Sequence, residues 1–307
     1  MAFVEENEVS VNSQGGTEIT KRSIGKYIPE ELAEDFQIIP SRIRDLKEDK
    51  IRLYWAHDLP EDPECSKFAD ENFRNKFHKI VFSSHWQMNE FITKLRIPFS
   101  SKLEVIETPI EPFELVDKPK DKIRLIYFST PHRGLDILVP VFKHLCEKHN
   151  DIHLDVFSSF KIYGWEEADK QFEPLYDEIR NHPQMTYHGF AQQDELRKAV
   201  QQAHILAYPS IFAETSCLTA IEAGAAGCKI VTTDYGALRE TCQDWATYVD
   251  FTTNRQELVN NYAETLKKEI DNYTPECYNT QSKWFNDNYS WLNRANEWNH
   301  FFNNICK

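Results

Sequence analysis

Residues 205–223 read ILAYPSIFAETSCLTAIEA, in which an apolar stretch, a turn and a helix-forming stretch follow one another. Ile205–Tyr208 predicts a short buried strand, the chain turns at the proline that follows, and a helix is expected from about Ser216. Apolar and helical stretches alternate in the same way from Ile123–Phe128 to Thr247–Asp250. This alternation predicts βαβ units, which form a parallel sheet covered by helices on both faces.

The first third of the chain repeats the pattern less clearly. Four short apolar stretches predict strands of a second sheet: Phe36–Pro40, Ile51–Trp55, Lys79–Ser83 and Leu103–Ile106. The charged stretch Asp117–Asp121 contains a proline and is the best candidate for an interdomain linker. We therefore expect one domain over residues 1–116, a second over 117–282, and a C-terminal helix over 283–307 that docks back on the first domain.

Composition narrows the class of protein. The 307 residues are enough for two domains, each with its own core. Lys and Arg number 35 and Asp and Glu 49, and this net charge of −14 disfavours binding to nucleic acid or anionic membrane. No apolar stretch is long enough to span a bilayer, and the start of the chain lacks the features of a signal peptide. Seven cysteines without a Cys-x-x-Cys pair fit reduced thiols, so we expect a cytoplasmic protein.

Open parallel sheets bind ligands beyond the carboxyl ends of their strands. The loop after the quoted strand leads into a helix whose first amides, at Ser216, Cys217 and Leu218, are expected to be unpaired. Such a helix N-terminus attracts phosphate. Glu214 precedes it and Glu222 lies about two turns inside, so two carboxylates would bracket a sugar–diphosphate–ribose unit. Two glutamates eight positions apart also occur by chance in an acidic chain.

The same segment resembles the signature of glycosyltransferase family 4, which is Glu-x7-Glu within a conserved-looking frame of Pro, Ser, Leu, Ala and Gly. The matching residues are Pro209, Ser210, Glu214, Leu218, Glu222, Ala223, Ala225 and Gly227. The resemblance extends over about residues 123–250. It implies an α/β protein of the GT-B fold, in which two Rossmann-like domains with parallel sheets face a cleft.

The resemblance also implies a chemistry, namely transfer of a hexosyl or pentosyl group from a nucleoside-diphosphate sugar with retention at the anomeric carbon. Glu222 would accept from the donor ribose and Glu214 would contact the sugar. The diphosphate would be held by backbone amides at Thr215, Ser216, Cys217 and Leu218. Neither a cofactor nor a metal is required. The cluster His144, Cys146, His149 and His153 lacks zinc spacing, so no metal site is expected there.

A second loop, residues 128–135, resembles the phosphate loop of that family, which carries an Arg early and a Lys-Gly pair late. Arg133 and Gly134 match the late pair, whereas Ser129 and Thr130 stand where the early Arg would be. A guanidinium can hold a diphosphate through two hydrogen bonds and offset its charge as it leaves. The alternative is a surface arginine at a helix start, which the helix dipole disfavours.

Five residues of three further loops complete the predicted site. Gly15 and Gly16 resemble the family's Gly-Gly turn near the donor, although an ordinary turn is the alternative. His57 would face the donor sugar, and Asp58 would orient its imidazole or place the acceptor; a structural His–Asp pair is the alternative. Lys161 would lie near the phosphate beside an aromatic wall of the base pocket, or else belong to a merely aromatic loop.

The resemblance thus implies a retaining glycosyltransferase with an unidentified hydroxyl acceptor. The chain is short for a family N-terminal domain, and compact proteins of this type resemble glycosyltransferases encoded by large tailed phages. The acceptor could then be a small molecule, a glycan or a modified nucleobase, although the charge of −14 disfavours DNA. The alternatives are a non-catalytic sugar-nucleotide-binding protein and a GT-B epimerase or hydrolase acting on a nucleotide sugar.

Overall fold

The computed structural model describes Ile24, residues 34–274 and residues 278–305. The chain divides into two compact units. The first comprises Met1–Glu111 and Asn288–Lys307, and the second comprises Pro112–Asp287. The divisions thus fall at 111/112 and 287/288, where the sequence suggested 116/117 and 282/283.

The first unit contains a parallel sheet of four strands in the order β1-β2-β3-β4. All four predicted strands are confirmed: β1 (Phe36–Pro40), β2 (Ile51–Ala56), β3 (Lys79–Phe82) and β4 (Leu103–Val105). The described helices of this unit are α1 (Pro63–Ser66), α2 (Glu71–Arg74), α3 (His85–Leu95) and, after the second unit, α11 (Trp291–Ile305). Because the strands are parallel, their carboxyl ends lie at one edge of the sheet.

Aromatic side chains attach α11 to this sheet. The ring of Trp298 packs edge-on against Trp55 of β2 at 5.0 Å, and Phe302 lies 4.5 Å from Phe36 of β1. All four rings are buried. Large aromatic surfaces removed from water are a main source of stabilising free energy in a unit of this size.

The prediction of a single C-terminal helix is wrong. The tail forms α10 (Tyr278–Tyr289) and α11, which are separated at Ser290. There the chain pairs with Ile110: the Ile110 amide donates to the Tyr289 carbonyl at 2.8 Å, and the Trp291 amide donates to the Ile110 carbonyl at 3.1 Å. These main-chain bonds replace helical ones, and no local sequence pattern reports a partner so distant in the chain.

The second unit contains a parallel sheet of six strands in the order β10-β9-β8-β5-β6-β7. Its strands are β5 (Ile123–Phe128), β6 (Ile152–Phe157), β7 (Met185–Tyr187), β8 (Ile205–Tyr208), β9 (Lys229–Thr233) and β10 (Ala246–Val249). Its described helices are α4 (Leu135–Cys146), α5 (Glu173–Arg180), α6 (Gln193–Gln202), α7 (Leu218–Ala225), α8 (Leu238–Cys242), α9 (Arg255–Asp271) and α10. The central strand β8 is buried along its whole length, as the apolar run predicts.

The charged stretch predicted as a linker belongs to the second unit. Lys118 bonds through its ammonium to the Ala203 carbonyl and lies 3.7 Å from the Cys228 thiol. His204 bonds through Nε2 to the Pro119 carbonyl at 2.9 Å. A solvated linker would not make such contacts, so that prediction is corrected.

Among the described helices, none is both long and apolar enough to cross a membrane.

Candidate functional site

The order of strands in the six-stranded sheet creates a switch point between β5 and β8. From β5 the chain proceeds through β6 to β7 on one side, and it then returns to build β8, β9 and β10 on the other side. The loops that follow β5 and β8 therefore leave in opposite directions, and the crevice between such loops is where open α/β sheets bind ligands.

Gly134 allows these two loops to touch. Its φ is +116°, and a Cβ at this position would lie 2.1 Å from the carbonyl oxygen of Pro209, which follows β8. Only glycine permits both this backbone conformation and this approach. The preceding residue, Arg133, also accepts from the Ile211 amide through its carbonyl at 3.4 Å. The β5 loop thus lies directly against the β8 loop.

Arg133 and Glu214 meet at this contact. The Nη1 atom of Arg133 donates to both carboxylate oxygens of Glu214, at 2.9 and 3.0 Å. The side chains are only 20% and 5% exposed. Burial lowers the pKa of the Arg133 guanidinium, but the Glu214 carboxylate and the neighbouring Tyr208, Tyr163 and Cys217 together raise it by more, so the pKa lies well above its ordinary value. Two residues predicted separately as ligand contacts therefore form a buried ion pair.

Tyr208, at the end of β8, completes the network around Glu214. Its hydroxyl donates to Glu214 Oε1 at 2.6 Å, and Ser129 Oγ lies 3.5 Å from the same hydroxyl. Burial and the Glu214 charge raise the pKa of Tyr208 well above its ordinary value, so the hydroxyl keeps its proton. The guanidinium of Arg133 also lies over the Phe212 ring, 4.1 Å from its centre. Sequence reasoning placed Ser129 here but missed Tyr208 and Phe212.

The backbone of Glu214 is fixed from its other side by the loop after β9. The Ala237 amide donates to the Glu214 carbonyl at 2.8 Å. Gly236 has a φ of +73°, and a Cβ there would lie 2.4 Å from the Glu214 amide nitrogen. Three loops of the carboxyl edge therefore hold this one carboxylate.

The helix after Glu214 begins later than predicted. α7 starts at Leu218, so Thr215 and Ser216 lie in the preceding turn. Cys217 is the N-cap residue, has an extended backbone and makes no side-chain cap hydrogen bond. A cysteine is a poor cap, because helix starts favour Ser, Thr, Asp or Asn. The predicted phosphate amides therefore come partly from the turn and partly from the first turn of α7.

Glu222 lies inside α7 in a different environment from Glu214. Burial raises the pKa of its carboxyl group to about 7, and the charge of Arg197 on α6 opposes the shift only in part. The group therefore keeps its proton to a higher pH than an ordinary glutamate does. Hydrogen-bond donors that approach it would favour the charged form.

Two hydroxyl groups at the carboxyl edge of the six-stranded sheet have no hydrogen-bond partner in the described part of the chain. Thr130 Oγ1 and Ser158 Oγ are buried, and neither has a hydrogen-bond partner among the described residues. They follow the neighbouring strands β5 and β6, whose last residues are paired in register. Since buried hydroxyls are nearly always satisfied, such atoms are available to a ligand. His132, in the same loop, stacks on Phe160 at 5.2 Å, and burial lowers its pKa to about 4, so it is neutral at pH 7.

Lys161 contacts an acidic and an aromatic side chain. Its ammonium is 3.2 Å from Glu166 and 5.9 Å from the centre of the Phe190 ring, and about half of the side chain is exposed. Its neighbour Phe160 stacks on His132 of the β5 loop, so this aromatic segment borders that loop. Within the described part of the chain, no ion pair joins Lys161 to Glu214, and its place beside a phosphate stays a prediction.

In the first unit, His57 and Asp58 follow β2. Burial lowers the pKa of His57 to about 4, and its ring packs 4.7 Å from that of Trp55. Burial raises the pKa of Asp58, while a hydrogen bond from Ser41 lowers it in part. The buried amide of Gln87 bonds to the Asp58 carbonyl at 2.8 Å and fixes this loop. Sequence reasoning missed Gln87.

Among the described residues, one group has the composition of a metal site. Ligand atoms of Asp58, Asp62 and Cys65 lie within 4.8 Å of one another. Asp62, however, is ion-paired with Arg42 at 2.7 Å and accepts from the Glu64 amide. Burial raises the pKa of the Cys65 thiol to about 12, which leaves it protonated. These partners explain the group as structural.

The predicted glycine turn cannot be compared with the structure, because Gly15 and Gly16 lie outside the described residues.

Comparison with known proteins adds a family. The family described as glycosyl transferases group 1 matches residues 111–283, more than half of the chain. The match contains every site residue named above in the second unit. Among curated protein sequences, none matches the chain.

Solved structures share the fold at low sequence identity. HepE from Anabaena, in complex with UDP and glucose, is 14% identical with a TM-score of 0.66, over 94% of this chain and 83% of its own. A glycosyltransferase from Rickettsia africae is 17% identical with a TM-score of 0.66, over 98% and 84%. TarM of S. aureus is 13% identical with a TM-score of 0.63, over 92% and 57%, so the chain spans little more than half the length of TarM. These likenesses confirm the predicted GT-B fold.

Proposed function

The chain belongs to the family of group 1 glycosyl transferases, and on that premise we propose that it transfers a sugar from a nucleoside-diphosphate sugar to a hydroxyl acceptor with retention. The observation that carries the proposal is the Arg133–Glu214 pair at the switch point. It places a cation for a diphosphate and a carboxylate for sugar hydroxyls side by side, where α/β sheets bind nucleotides.

The surroundings of the pair suit each part of such a donor. The diphosphate would lie between Arg133 and the first turn of α7. The hydroxyls of Thr130 and Ser158, which follow β5 and β6, have no partner within the described chain and could bind it as well. Glu214 would accept from the sugar, and Glu222 from the ribose hydroxyls. The raised pKa of Glu222 fits this role, because bound hydroxyl donors restore the charge that burial disfavours.

The proposed reaction needs no side-chain nucleophile. The bond from the anomeric carbon to the diphosphate oxygen breaks, and the acceptor oxygen forms its new bond on the same face of the sugar. The acceptor proton passes to the departing phosphate oxygen. Arg133 and the amides of α7 offset the charge that develops on the leaving group, so neither a metal nor a cofactor takes part. The acceptor stays unassigned.

A uridine nucleotide is the first candidate for the donor. The related structure HepE holds UDP and glucose, and TarM was solved with UDP. HepE and TarM both share the fold of this chain. The family match covers the six-stranded sheet of this chain. We therefore take a UDP-sugar as the donor to test first, with other bases as comparisons.

A thermal-shift panel with UDP, GDP, ADP, CMP and dTDP tests the donor site. A nucleotide present at about 100 times its Kd adds about 2.7 kcal/mol, or a rise in Tm of roughly 4 °C for a protein of this size. We expect one nucleotide to stabilise the wild type but neither Arg133→Ala nor Glu222→Ala. Arg124→Ala is the matched control, because Arg124 pairs with Asp121 at the opposite end of β5 and should respond like the wild type.

Turnover separates the proposal from its alternatives. With the selected UDP-sugar and a mixture of hydroxyl acceptors, release of UDP that depends on an acceptor supports transfer, and NMR of the product's anomeric proton reports retention or inversion. Donor binding without UDP release under any condition would instead indicate a binding protein. Release or sugar conversion without an acceptor would indicate a hydrolase or an epimerase. A stable wild type that responds to no nucleotide would contradict the donor site itself.

A further inference from the structure

Tyr208 donates its hydroxyl to a carboxylate of the predicted site. It ends β8, is fully buried, and directs its hydroxyl at one oxygen of the Glu214 carboxylate, 2.6 Å away. The buried Tyr176 makes the same kind of bond to Asp169 at 2.9 Å, whereas Tyr127 and Tyr262 bond to the backbone carbonyls of Thr130 and Val231. Tyr208 therefore acts on a charged side chain, where a hydrogen bond is worth more than one to a neutral group.

The two carboxylate oxygens of Glu214 are not equivalent. Oε1 accepts from both Tyr208 and Arg133, whereas Oε2 accepts from Arg133 at 3.0 Å. A diphosphate that drew Arg133 toward itself would weaken both arginine bonds. Only Oε1 would then keep a donor, so the carboxylate would stay in place with Oε2 available.

We propose that Tyr208 is a positioning residue, which fixes Glu214 through Oε1 so that Oε2 receives a hydroxyl of the donor sugar. The inference rests on the proposed function, since it assigns Tyr208 a part in sugar recognition rather than in diphosphate binding. Tyr208 does not itself touch the donor. It acts on the orientation of the Glu214 carboxylate, since Glu214 is 4% exposed and, among the described residues, would keep no other side-chain donor once Arg133 turns to phosphate.

The test compares Tyr208→Phe with Tyr262→Phe by calorimetric titration with UDP and with UDP-glucose. Both substitutions remove one buried hydroxyl and its hydrogen bond, so both should lower Tm, and Tyr208→Phe should lower it more because its bond is to a charged group. We expect Tyr208→Phe to raise the Kd for UDP-glucose about tenfold while the Kd for UDP changes less than twofold. Tyr262→Phe should change neither Kd by more than twofold, because its hydroxyl bonds to backbone.

The outcomes separate this inference from the function beneath it. If the wild type binds UDP-glucose and the two variants behave alike, the positioning role is overturned while the donor site stands. The same holds if Tyr208→Phe weakens UDP and UDP-glucose equally, since that is the result of a structural role. If the wild type binds neither ligand, the proposed UDP-sugar donor fails and the inference fails with it.

Discussion

The polar side chains at the carboxyl edges of the two sheets have different kinds of partner. In the six-stranded sheet, charged groups from separate loops face one another, and Arg133 and Glu214 form a buried pair. In the four-stranded sheet, the polar groups after β2 go to different partners: Asp58 accepts from Ser41, while His57 packs against Trp55. The first edge is built to hold charge, whereas burial leaves the histidine of the second uncharged at neutral pH.

The largest effect on stability is expected from a substitution that breaks the contact between the β5 loop and the β8 loop. In Gly134→Ala the new Cβ would lie 2.1 Å from the Pro209 carbonyl oxygen, at a φ of +116°. We expect a loss of about 4 kcal/mol or more in the free energy of unfolding, because backbone must move to relieve the clash. Denaturant unfolding measures it.

Gly164→Ala is the control for the backbone term alone. Gly164 also has a positive φ, +74°, but a Cβ there would meet nothing within 4 Å. Its loss should be about 1 kcal/mol, the usual cost of a left-handed conformation. Equal losses in the two variants would show that the β5 and β8 loops do not need their close approach.

A second prediction compares the ion pairs of the two edges. Arg133→Ala leaves the buried Glu214 carboxylate without its cation, and we expect a loss of about 3 kcal/mol. Arg42→Ala removes an equally short pair with Asp62, but the side chains there are 40% and 20% exposed, so the loss should stay below about 1 kcal/mol. Chemical denaturation of both variants measures the difference. Similar losses would mean that water screens the switch-point pair as it screens the other.

The third prediction uses the opposite pKa shifts of Glu222 and His57. The pKa of Glu222 is raised to about 7, so the folded state binds its proton more tightly and stability falls as pH rises from 4.5 to 7. The pKa of His57 is lowered to about 4, so the unfolded state binds its proton more tightly and stability falls as pH drops from 6.5 to 4.

Substituting Glu222 or His57 should remove the pH dependence of stability that this residue causes. Relative to the wild type, Glu222→Gln should gain stability as pH rises through 4.5–7, and His57→Gln should gain as pH falls through 6.5–4. Each difference should be on the order of 1–3 kcal/mol across its window. Free energies of unfolding at pH steps from 4 to 7.5 measure them. A difference that does not vary with pH would show that the group titrates at its ordinary value.

The strands could be predicted from sequence more fully than the contacts between the loops that follow them. The strands of both sheets could be predicted, because short apolar runs report burial locally. Arg133 and Glu214 were each found through a local motif. Their pairing was not predicted, because it depends on β8 lying next to β5 in the sheet. Tyr208 was missed for another reason: a tyrosine at the end of an apolar run indicates core, and only its partner reveals a second role.

The division of the C-terminal tail could not be predicted for a similar reason. No local pattern near Trp291 indicates that Ser290 will pair with Ile110 and divide the tail into two helices. A contact between segments so distant in the chain is not visible in a single sequence. His57 and Asp58 are adjacent in sequence, which favours a joint role, and that role stays a prediction.

The central claim is that Arg133 holds the donor diphosphate at the switch point, and calorimetric titration with UDP and UMP tests it most directly. The account predicts that the wild type and Arg124→Ala bind UDP at least about tenfold more tightly than UMP, because the second phosphate meets the guanidinium. In Arg133→Ala the two affinities should converge. An undiminished preference for UDP in folded Arg133→Ala would contradict the claim and place the diphosphate elsewhere.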